Sequence, residues 1–341
     1  MPLYEIDPIR DRRWSDLVER CSASSVFQTP QWLEALRRTY GYGPVAFTDA
    51  APGESLRNGL VFCRINSWVT GRRLVSLPFS DHCEPLVDSN ATLASLLDSL
   101  NATMHYERRS IELRYLDTGF VPPGMITSAA FCLHAIDLRR ELDVIFGDFH
   151  KSHVQRNIRK AERMGVTLEK GRSAALLAQF YDLHVITRQR LGAPIQPRIW
   201  FQNLADCLGE RLQIYAAMVN GTPVAAIMTT THRNTLVYKY GCSDVAYRRY
   251  GANPFLFWRA IQDAKHEGIE SFDLGRSDVD NEGLLAFKDH LGARRAALKY
   301  YRHAERPSRL RWATSLAERL YALVPTKIQT RVGGVLYKHF G

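Results

Sequence analysis

The chemistry-bearing side chains of this chain gather in a few short stretches. The densest is 271–292, SFDLGRSDVDNEGLLAFKDHLG. Asp273, Arg276, Ser277, Asp278 and Asp280 crowd the end of a short strand, 271–274, and the pair Phe287-Lys288 rides on a helical run, 283–291, that Gly292 stops with a left-handed cap. Loops at strand ends are where catalytic and binding groups tend to be placed. The plainer alternative is a strand, a solvated acidic loop and a surface helix. A second stretch is Pro78-Phe79-Ser80-Asp81-His82-Cys83-Glu84-Pro85, a rigid loop fixed by two prolines. It brings together Asp81, His82 and Glu84, whose groups suit general acid–base work or substrate contact, and equally a solvated turn. Their spacing matches no metal motif.

A third stretch is basic. Between Lys151 and Arg172 seven Lys/Arg face only Glu162 and Glu169. Val154, Ile158 and Ala161 mark a narrow buried face, while Arg156, Arg159, Lys160 and Arg163 cover the rest of a helix. Guanidinium forks match phosphate oxygens, so this reads as a phosphate-binding helix or as a solvated amphipathic one.

The elements that position these groups alternate. Helical periodicity marks 14–21, 30–40 (with Pro30 in its first turn), 91–106, 141–150, 174–191 and 253–268. Strand patterns mark 44–48, 59–68, 73–77, 111–115, 131–138, 166–168, 212–219, 222–231, 235–240 and 296–301. Asn220-Gly221 is a strong hairpin signal between two of them. Tyr238 and Tyr240 alternate on one face of the next strand, and Asn253-Pro254 supplies an N-cap and first residue for the helix that follows. The class is α/β (α+β), with units 1–139 and 140–305 and a basic tail 306–341.

At 341 residues, 45% hydrophobic and 23% charged, the chain has room for two cores. Its net charge of +10 favours polyanionic partners. Six scattered cysteines contain no CxxC pair, which points to a reducing compartment and to no zinc site. A charged start and the lack of a long apolar run predict a cytoplasmic protein. In the tail, Trp312, Leu316, Leu320 and Leu323 recur at helical spacing among seven Lys/Arg and one Glu. This is a pattern for peripheral contact with an anionic inner membrane face, or for a terminal helix packed on the second unit.

The order of the second half, meander–helix–strand–helix–strand, resembles the GNAT acyltransferase fold. GNAT enzymes carry a turn of type Q/R-x-x-G-x-G/A whose amides meet the pyrophosphate of coenzyme A. Here it reads Arg248-x-x-Gly251-x-Asn253, then Pro254. Asn replaces the last small residue and Pro254 removes a donor, which weakens the grip on acyl-CoA.

Five further motifs stand in order along the chain: Phe27-Gln28-Thr29-Pro30-Gln31-Trp32, Leu77-Pro78-Phe79-Ser80-Asp81, the run from Arg156 to Val166, Phe272-Asp273-Leu274-Gly275 and Phe287-Lys288-Asp289-His290-Leu291-Gly292. Together they resemble the Fem family of peptidyltransferases. The resemblance implies tandem GNAT-like domains, each a mixed, largely antiparallel sheet flanked by helices. It implies transfer of an aminoacyl group from aminoacyl-tRNA to an amine on a peptidoglycan or polysaccharide-linked precursor, with no tightly bound cofactor and no metal. Lys288 would face the carbonyl under attack, Phe287 would stack or exclude water, and Asp81 would orient or deprotonate the amine. Arg156 and Arg159 would hold phosphates of tRNA or of a nucleotide- or lipid-linked acceptor, and Tyr238 and Tyr240 would line the channel. Arg248, Gly251, Asn253 and Arg276 complete the expected binding set. The alternatives are acetyl-CoA-dependent N-acetylation of an amino sugar or amino acid, and a non-catalytic RNA-binding module, for which no RRM, KH or zinc-knuckle pattern is present.

Overall fold

The structure is a computed structural model that describes residues 2–67, 71–106, 109–303, 334 and 336–339. In chain order the elements are β1 (Tyr4–Ile6), α1 (Arg12–Arg20), α2 (Pro30–Tyr40), β2 (Gly43–Thr48), β3 (Leu60–Ser67), β4 (Gly71–Val75), α3 (Asn90–Tyr106), β5 (Ser110–Leu116), β6 (Met125–Asp137), α4 (Leu142–Asp148), α5 (Arg156–Arg163), β7 (Thr167–Gly171), α6 (Ala174–Arg190), α7 (Arg198–Leu208), β8 (Leu212–Val219), β9 (Thr222–His232), β10 (Thr235–Ser243), α8 (Ala252–His266), β11 (Ser271–Asp278), α9 (Glu282–His290) and β12 (Arg294–His303). The chain divides into two compact units, between Phe131 and Cys132 inside β6 and between Ala296 and Ala297 inside β12.

The first unit has strand order β1-β2-β3-β4-β5-β12. β1 to β4 are antiparallel neighbours, α3 crosses over to bring β5 parallel to β4, and β12 runs antiparallel to β5. Leu93, Leu96, Leu97 and Leu100 lie at helical spacing on α3 and pack on Phe47, Phe62, Leu74 and Ile111 of the sheet. Each such burial is worth about 1.5–3 kcal/mol. Two stretches far apart in sequence meet here. Gln28 is buried, accepts from the Ser25 amide at 2.8 Å and donates to the Glu84 carbonyl at 2.7 Å, which ties the turn before α2 to the proline loop. Thr29 caps α2 by accepting from Trp32 N at 3.3 Å, and Pro30 fills the first helical position where its missing N–H costs nothing.

The second unit has strand order β6-β11-β10-β9-β8-β7. β7 to β10 form an antiparallel meander. Asn220 and Gly221 both adopt left-handed φ (50° and 77°) between the paired residues Val219 and Thr222, the geometry of a type I′ hairpin. α8 crosses over to place β11 parallel to β10. Its Phe255, Leu256, Ala260 and Ile261 share a core with Ile158 and Ala161 of α5 and with Ala217 and Ile227 of the sheet. His184, Trp200 and Phe201 of α6 and α7 are buried against Tyr240, and Phe180 packs on His184 and Phe201. Both units therefore repeat one plan: antiparallel strands, then a helix, then a strand parallel to the last. The expected α/β class, with mixed and largely antiparallel sheets flanked by helices, is what the structure has.

The structure corrects several local expectations. β1 is present and β6 is much longer than its apolar part suggested. The strand 271–274 does not break at Gly275; that glycine takes φ 70° and β11 continues to Asp278. The basic run opens as a π-helical turn, Lys151–Gln155, before α5. The N-cap of α8 is Gly251, in a left-handed conformation, and Asn253-Pro254 lie inside the first turn. A register shift between Tyr238 and Tyr240 sends these two rings to different neighbours: Tyr238 packs on Phe257 of α8, Tyr240 on Phe201 and His184. They do not share a face, because a bulge inserts one residue and reverses the alternation. The tail helix at 312–323 lies outside the described residues. Tyr337 and His339, further on, belong to the first unit, their carbonyls accepting from Tyr42 Oη at 2.6 Å and from Arg73 at 3.1 Å.

His184 supplies a stability test. It is 2% exposed, its Nε2 is 2.8 Å from Gln196 Oε1, and burial, seconded by the Arg188 charge, holds its pKa down to about 3. The unfolded chain takes up a proton on this ring near pH 6.5, whereas the folded chain does not until about pH 3. Stability is thus full above pH 6.5 and falls as pH drops through that window, by at most about 1.4 kcal/mol per unit from this group. Urea midpoints at pH 7 and pH 5 should show a smaller acid loss in His184→Gln than in the wild type; equal losses would contradict the argument.

Candidate functional site

The candidate site of the second unit lies where β10 and β11 part. The two strands pair only from Thr235–Val237 against Ser271–Asp273. Beyond that point β10 bulges at Tyr238/Tyr240, and β11 turns at Gly275, whose amide donates to Asp273 Oδ1 at 2.7 Å. The ring of Tyr238 lies across Gly241, where a β-carbon would collide with its hydroxyl, so the glycine makes room for the ring. The carbonyls of Gly275 and Arg276 accept from Lys288 Nζ at 2.7 and 3.1 Å. Lys288 is 2% exposed on α9, and its neighbour Phe287 packs edge-on against Phe257. Ser277, also buried, has a hydroxyl with no partner among the described residues.

Beside Lys288, Asp289 is held by Arg295, which lowers its carboxyl pKa, and its Oδ1 is 3.4 Å from Nε2 of the fully buried His134. Burial, with the Lys288 charge behind it, lowers the His134 pKa and favours the neutral ring. Cys132 Sγ lies 4.0 Å from the same Nε2, and burial raises its thiol pKa, the opposite of an activated nucleophile.

A cavity of about 580 Å³ opens at the start of α8. Its walls include Asn157, Arg248, Gly251, Asn253 and Phe287, together with His153 and His290. The first-turn amides of a helix have no intrahelical acceptor and form a ready anion site. Two features temper it. Pro254 contributes no N–H. The carbonyl oxygen of Asn157 would stand 2.5 Å from a β-carbon on Gly251, so an acceptor occupies that side of the turn.

Of the residues singled out from the sequence, Phe287, Arg248, Gly251 and Asn253 therefore share one cavity. Lys288 and Arg276 sit at the end of β11, with Lys288 bonded to the Arg276 carbonyl. Arg156 and Arg159 are exposed on α5, the latter over the Phe146 ring at 5.5 Å. Asp81 lies in the first unit, in a loop where Leu77 and Phe79 take left-handed φ. Its carbonyl accepts from Tyr300 Oη at 2.9 Å, while Glu84 Oε1 is 3.4 Å from His82 Nδ1 and accepts from Leu116 N at 3.0 Å. Glu84 thereby serves to pin the loop. Sequence reasoning passed over a cluster of three histidines, His150, His153 and His290. The spacing of His150 and His153 was readable; the approach of His290 to them is a product of the fold.

Residues 149–289 match the acetyltransferase (GNAT) domain model. Among curated proteins, none matches the chain by sequence. Among solved structures the fold is similar to that of FemX, at 14% identity over 93% of this chain and 100% of the other, with a TM-score of 0.66. It is also similar to the C-terminal domain of a putative lysylphosphatidylglycerol synthetase from Agrobacterium fabrum (13% identity, 91% and 94% covered, TM-score 0.58). A tandem GNAT protein from the clavulanic acid biosynthesis pathway is a further neighbour (12% identity, 90% and 100% covered, TM-score 0.57). The chain has a tandem GNAT-like fold. Its GNAT acetyltransferase domain supports acyl transfer as the class of chemistry, and GNAT domains take acyl-CoA as a substrate rather than as a resident cofactor. No helix among the described residues is long and apolar enough to cross a membrane.

Gly251 tests the turn. Its φ of 71° and the Asn157 backbone at 2.5 Å leave no room for a methyl group. Gly251→Ala should lower stability by about 1–2 kcal/mol from the backbone conformation alone, with more from the contact, and should lower the chemical-denaturation midpoint. An unchanged midpoint would mean that α5 does not press on this turn.

Proposed function

We propose that the protein is an acyltransferase that forms an amide bond on an amine of a cell-envelope precursor, with an aminoacyl ester as donor. The observation that carries this reading is the buried ammonium of Lys288, fixed by two carbonyls at the parting of β10 and β11 and adjacent in sequence to Phe287 on the cavity wall. Aminolysis of an ester passes through a tetrahedral oxyanion. A fixed cation in a water-poor site stabilises that charge without reorganising, and losing one such donor typically costs about 10²–10³ in rate.

The choice of donor rests on the turn before α8. With Pro254 lacking a donor and the Asn157 carbonyl set against Gly251, the grip on a pyrophosphate is reduced, which disfavours acyl-CoA. The exposed guanidinium groups of Arg156 and Arg159 suit the phosphates of aminoacyl-tRNA or of a nucleotide- or lipid-linked acceptor. The names FemX and lysylphosphatidylglycerol synthetase among the fold neighbours support an envelope setting and, in the second case, an aminoacyl group joined to a lipid. Acetyl-CoA-dependent N-acetylation is the second reading, favoured by the cavity at the α8 N-terminus.

Calorimetric titration with coenzyme A and with uncharged tRNA at low salt separates the two. The aminoacyl reading expects no micromolar coenzyme A binding and a salt-sensitive tRNA association that Arg156→Ala weakens. Micromolar coenzyme A binding would sink it. Lys288 needs a paired test, because its removal leaves two buried carbonyls unsatisfied, at about 1–3 kcal/mol each. Lys288→Arg keeps the charge and the donors; Lys288→Ala loses both. The expected outcome, in transfer from charged tRNA to an amine-bearing envelope precursor, is loss of about 10²-fold or more in Lys288→Ala and a smaller loss in Lys288→Arg, which also keeps most of the stability. Full activity in folded Lys288→Ala would assign the residue to packing and not to chemistry.

A further inference from the structure

We propose that His150, His153 and His290 form a binding site for a divalent transition-metal ion, Zn²⁺ in the first instance, at the rim of the α8 cavity. The three imidazoles form a nearly equilateral cluster, with ring centroids 4.4, 4.6 and 4.7 Å apart, and a ring nitrogen from each lies within 4.8 Å of the others. The rings of His153 and His290 are parallel to within 4°.

The backbone places these side chains, not mutual attraction of the rings. His150 donates its amide to the His290 carbonyl at 2.9 Å, which joins the C-terminus of α9 to the start of the π-helical turn. Val154 N and Gln155 N then donate back to the His150 carbonyl at 3.0 and 3.2 Å. The buried Gln155 clamps the preceding segment, giving its amide group to the carbonyls of Phe149 at 2.9 Å and Phe146 at 3.0 Å. On the other side Gly292, at φ 68°, lets α9 end hard against Asp148. Rigid elements therefore aim three imidazoles at one point, the arrangement that metal sites require.

The donors suit the ion. Neutral imidazole ligates Zn²⁺, Ni²⁺, Cu²⁺ and Co²⁺ well. Among the described residues the ring nitrogens make one hydrogen bond, a long contact of 3.3 Å from His153 N to His150 Nδ1, which a metal on that nitrogen would replace. Zinc–imidazole bonds of about 2.0–2.1 Å place tetrahedral ligand nitrogens roughly 3.3 Å apart. The rings must close by about 1.5 Å at their tips to reach that spacing, a small rotation for His150 and His153, which are exposed, and for the half-buried His290. Three protein ligands leave one position open in a tetrahedral site. His153 and His290 both line the cavity, so that position faces it and would take water or an anionic oxygen of phosphate or carboxylate. The basic stretch gives no other use for these rings, and the site stands whether the donor is aminoacyl-tRNA or acyl-CoA.

The test is a titration of the tag-free, chelator-stripped full chain with Zn²⁺ by calorimetry, and with Co²⁺ by visible absorption. One equivalent of Zn²⁺ should bind at micromolar Kd or tighter, and Co²⁺ should give the intense band of a four-coordinate nitrogen site. His153→Ala and His290→Ala should each weaken binding by more than the roughly 10–100-fold typical of outer-shell losses, and His266→Ala, on α8 away from the cluster, should not. Should His290→Ala fail to fold, the exposed His153 decides the matter. Absence of stoichiometric binding in the wild type, or binding unchanged in His153→Ala, overturns the proposal. So does inorganic phosphate binding to the stripped protein that depends on the three histidines when no metal binds.

Discussion

The second unit turns on a shortage of hydrogen bonds. β10 and β11 share a ladder for three residues and then separate, and on β11 the groups past that point lie at the buried Gly275 and the half-buried Arg276. Buried carbonyls and amides must find partners, at a cost of about 1–3 kcal/mol for each that fails. The Gly275 amide finds the Asp273 carboxylate, and the Gly275 and Arg276 carbonyls find the Lys288 ammonium. At this parting of the sheet the chain meets that demand with a cation. The same lysine that satisfies the strand end brings a positive charge to where the two strands part.

The field of the cavity follows from competing elements. The α8 N-terminus and Arg248 favour an anion. The Asn157 carbonyl beside Gly251 and the missing amide of Pro254 act against one. The histidine cluster adds lone pairs, not charge, as long as its rings stay neutral. Burial and the proximity of the other two rings lower the His290 pKa, in the direction of that neutral state. Arg190 and Arg248 both line the cavity, with Asp244 beside them, while Arg156 and Arg159 of α5 are exposed.

Local chemistry was legible where one residue type answers one backbone demand. Asn220-Gly221 meets the positive φ of a type I′ turn, Pro30 the first turn of α2, and Gly292 the end of α9, and each stands where its type predicts. Reading failed where the demand came from elsewhere in the fold. Asn253-Pro254 looks like a helix start, but Gly251 is the cap, because the α5 backbone crowds the turn and admits only glycine there. Strand alternation put Tyr238 and Tyr240 together, and one bulge sent them apart. His290 meets His150 and His153 across a separation in sequence that no periodicity spans. The motifs around Gln28 and Asp81 were both noticed, but the bond from the Gln28 side chain to the Glu84 carbonyl, which makes them one assembly, was not readable.

The repeated plan of the two units departs at the passage from the fourth strand into the crossover helix. In the second unit β10 passes through the short turn Val245–Tyr250 into α8, so the helix amides open onto the cavity. In the first unit the matching passage, from β4 to α3, is the long proline loop. Leu77 and Phe79 hold left-handed φ there, at about 1–2 kcal/mol each for an L-residue. Three bonds to one atom offset that strain: the Leu77 carbonyl accepts from Ser80 Oγ at 2.7 Å, from Arg114 at 3.1 Å and from Ser80 N at 3.3 Å. Arg114 is itself buried and held by Glu112, with its guanidinium 4.9 Å from the Tyr300 ring. One carbonyl of the loop, that of Leu77, is turned toward the Arg114 cation. The two units thus share a sheet plan and differ in this passage: a short turn before α8 in one, and a loop anchored on Arg114 and carrying Asp81 in the other.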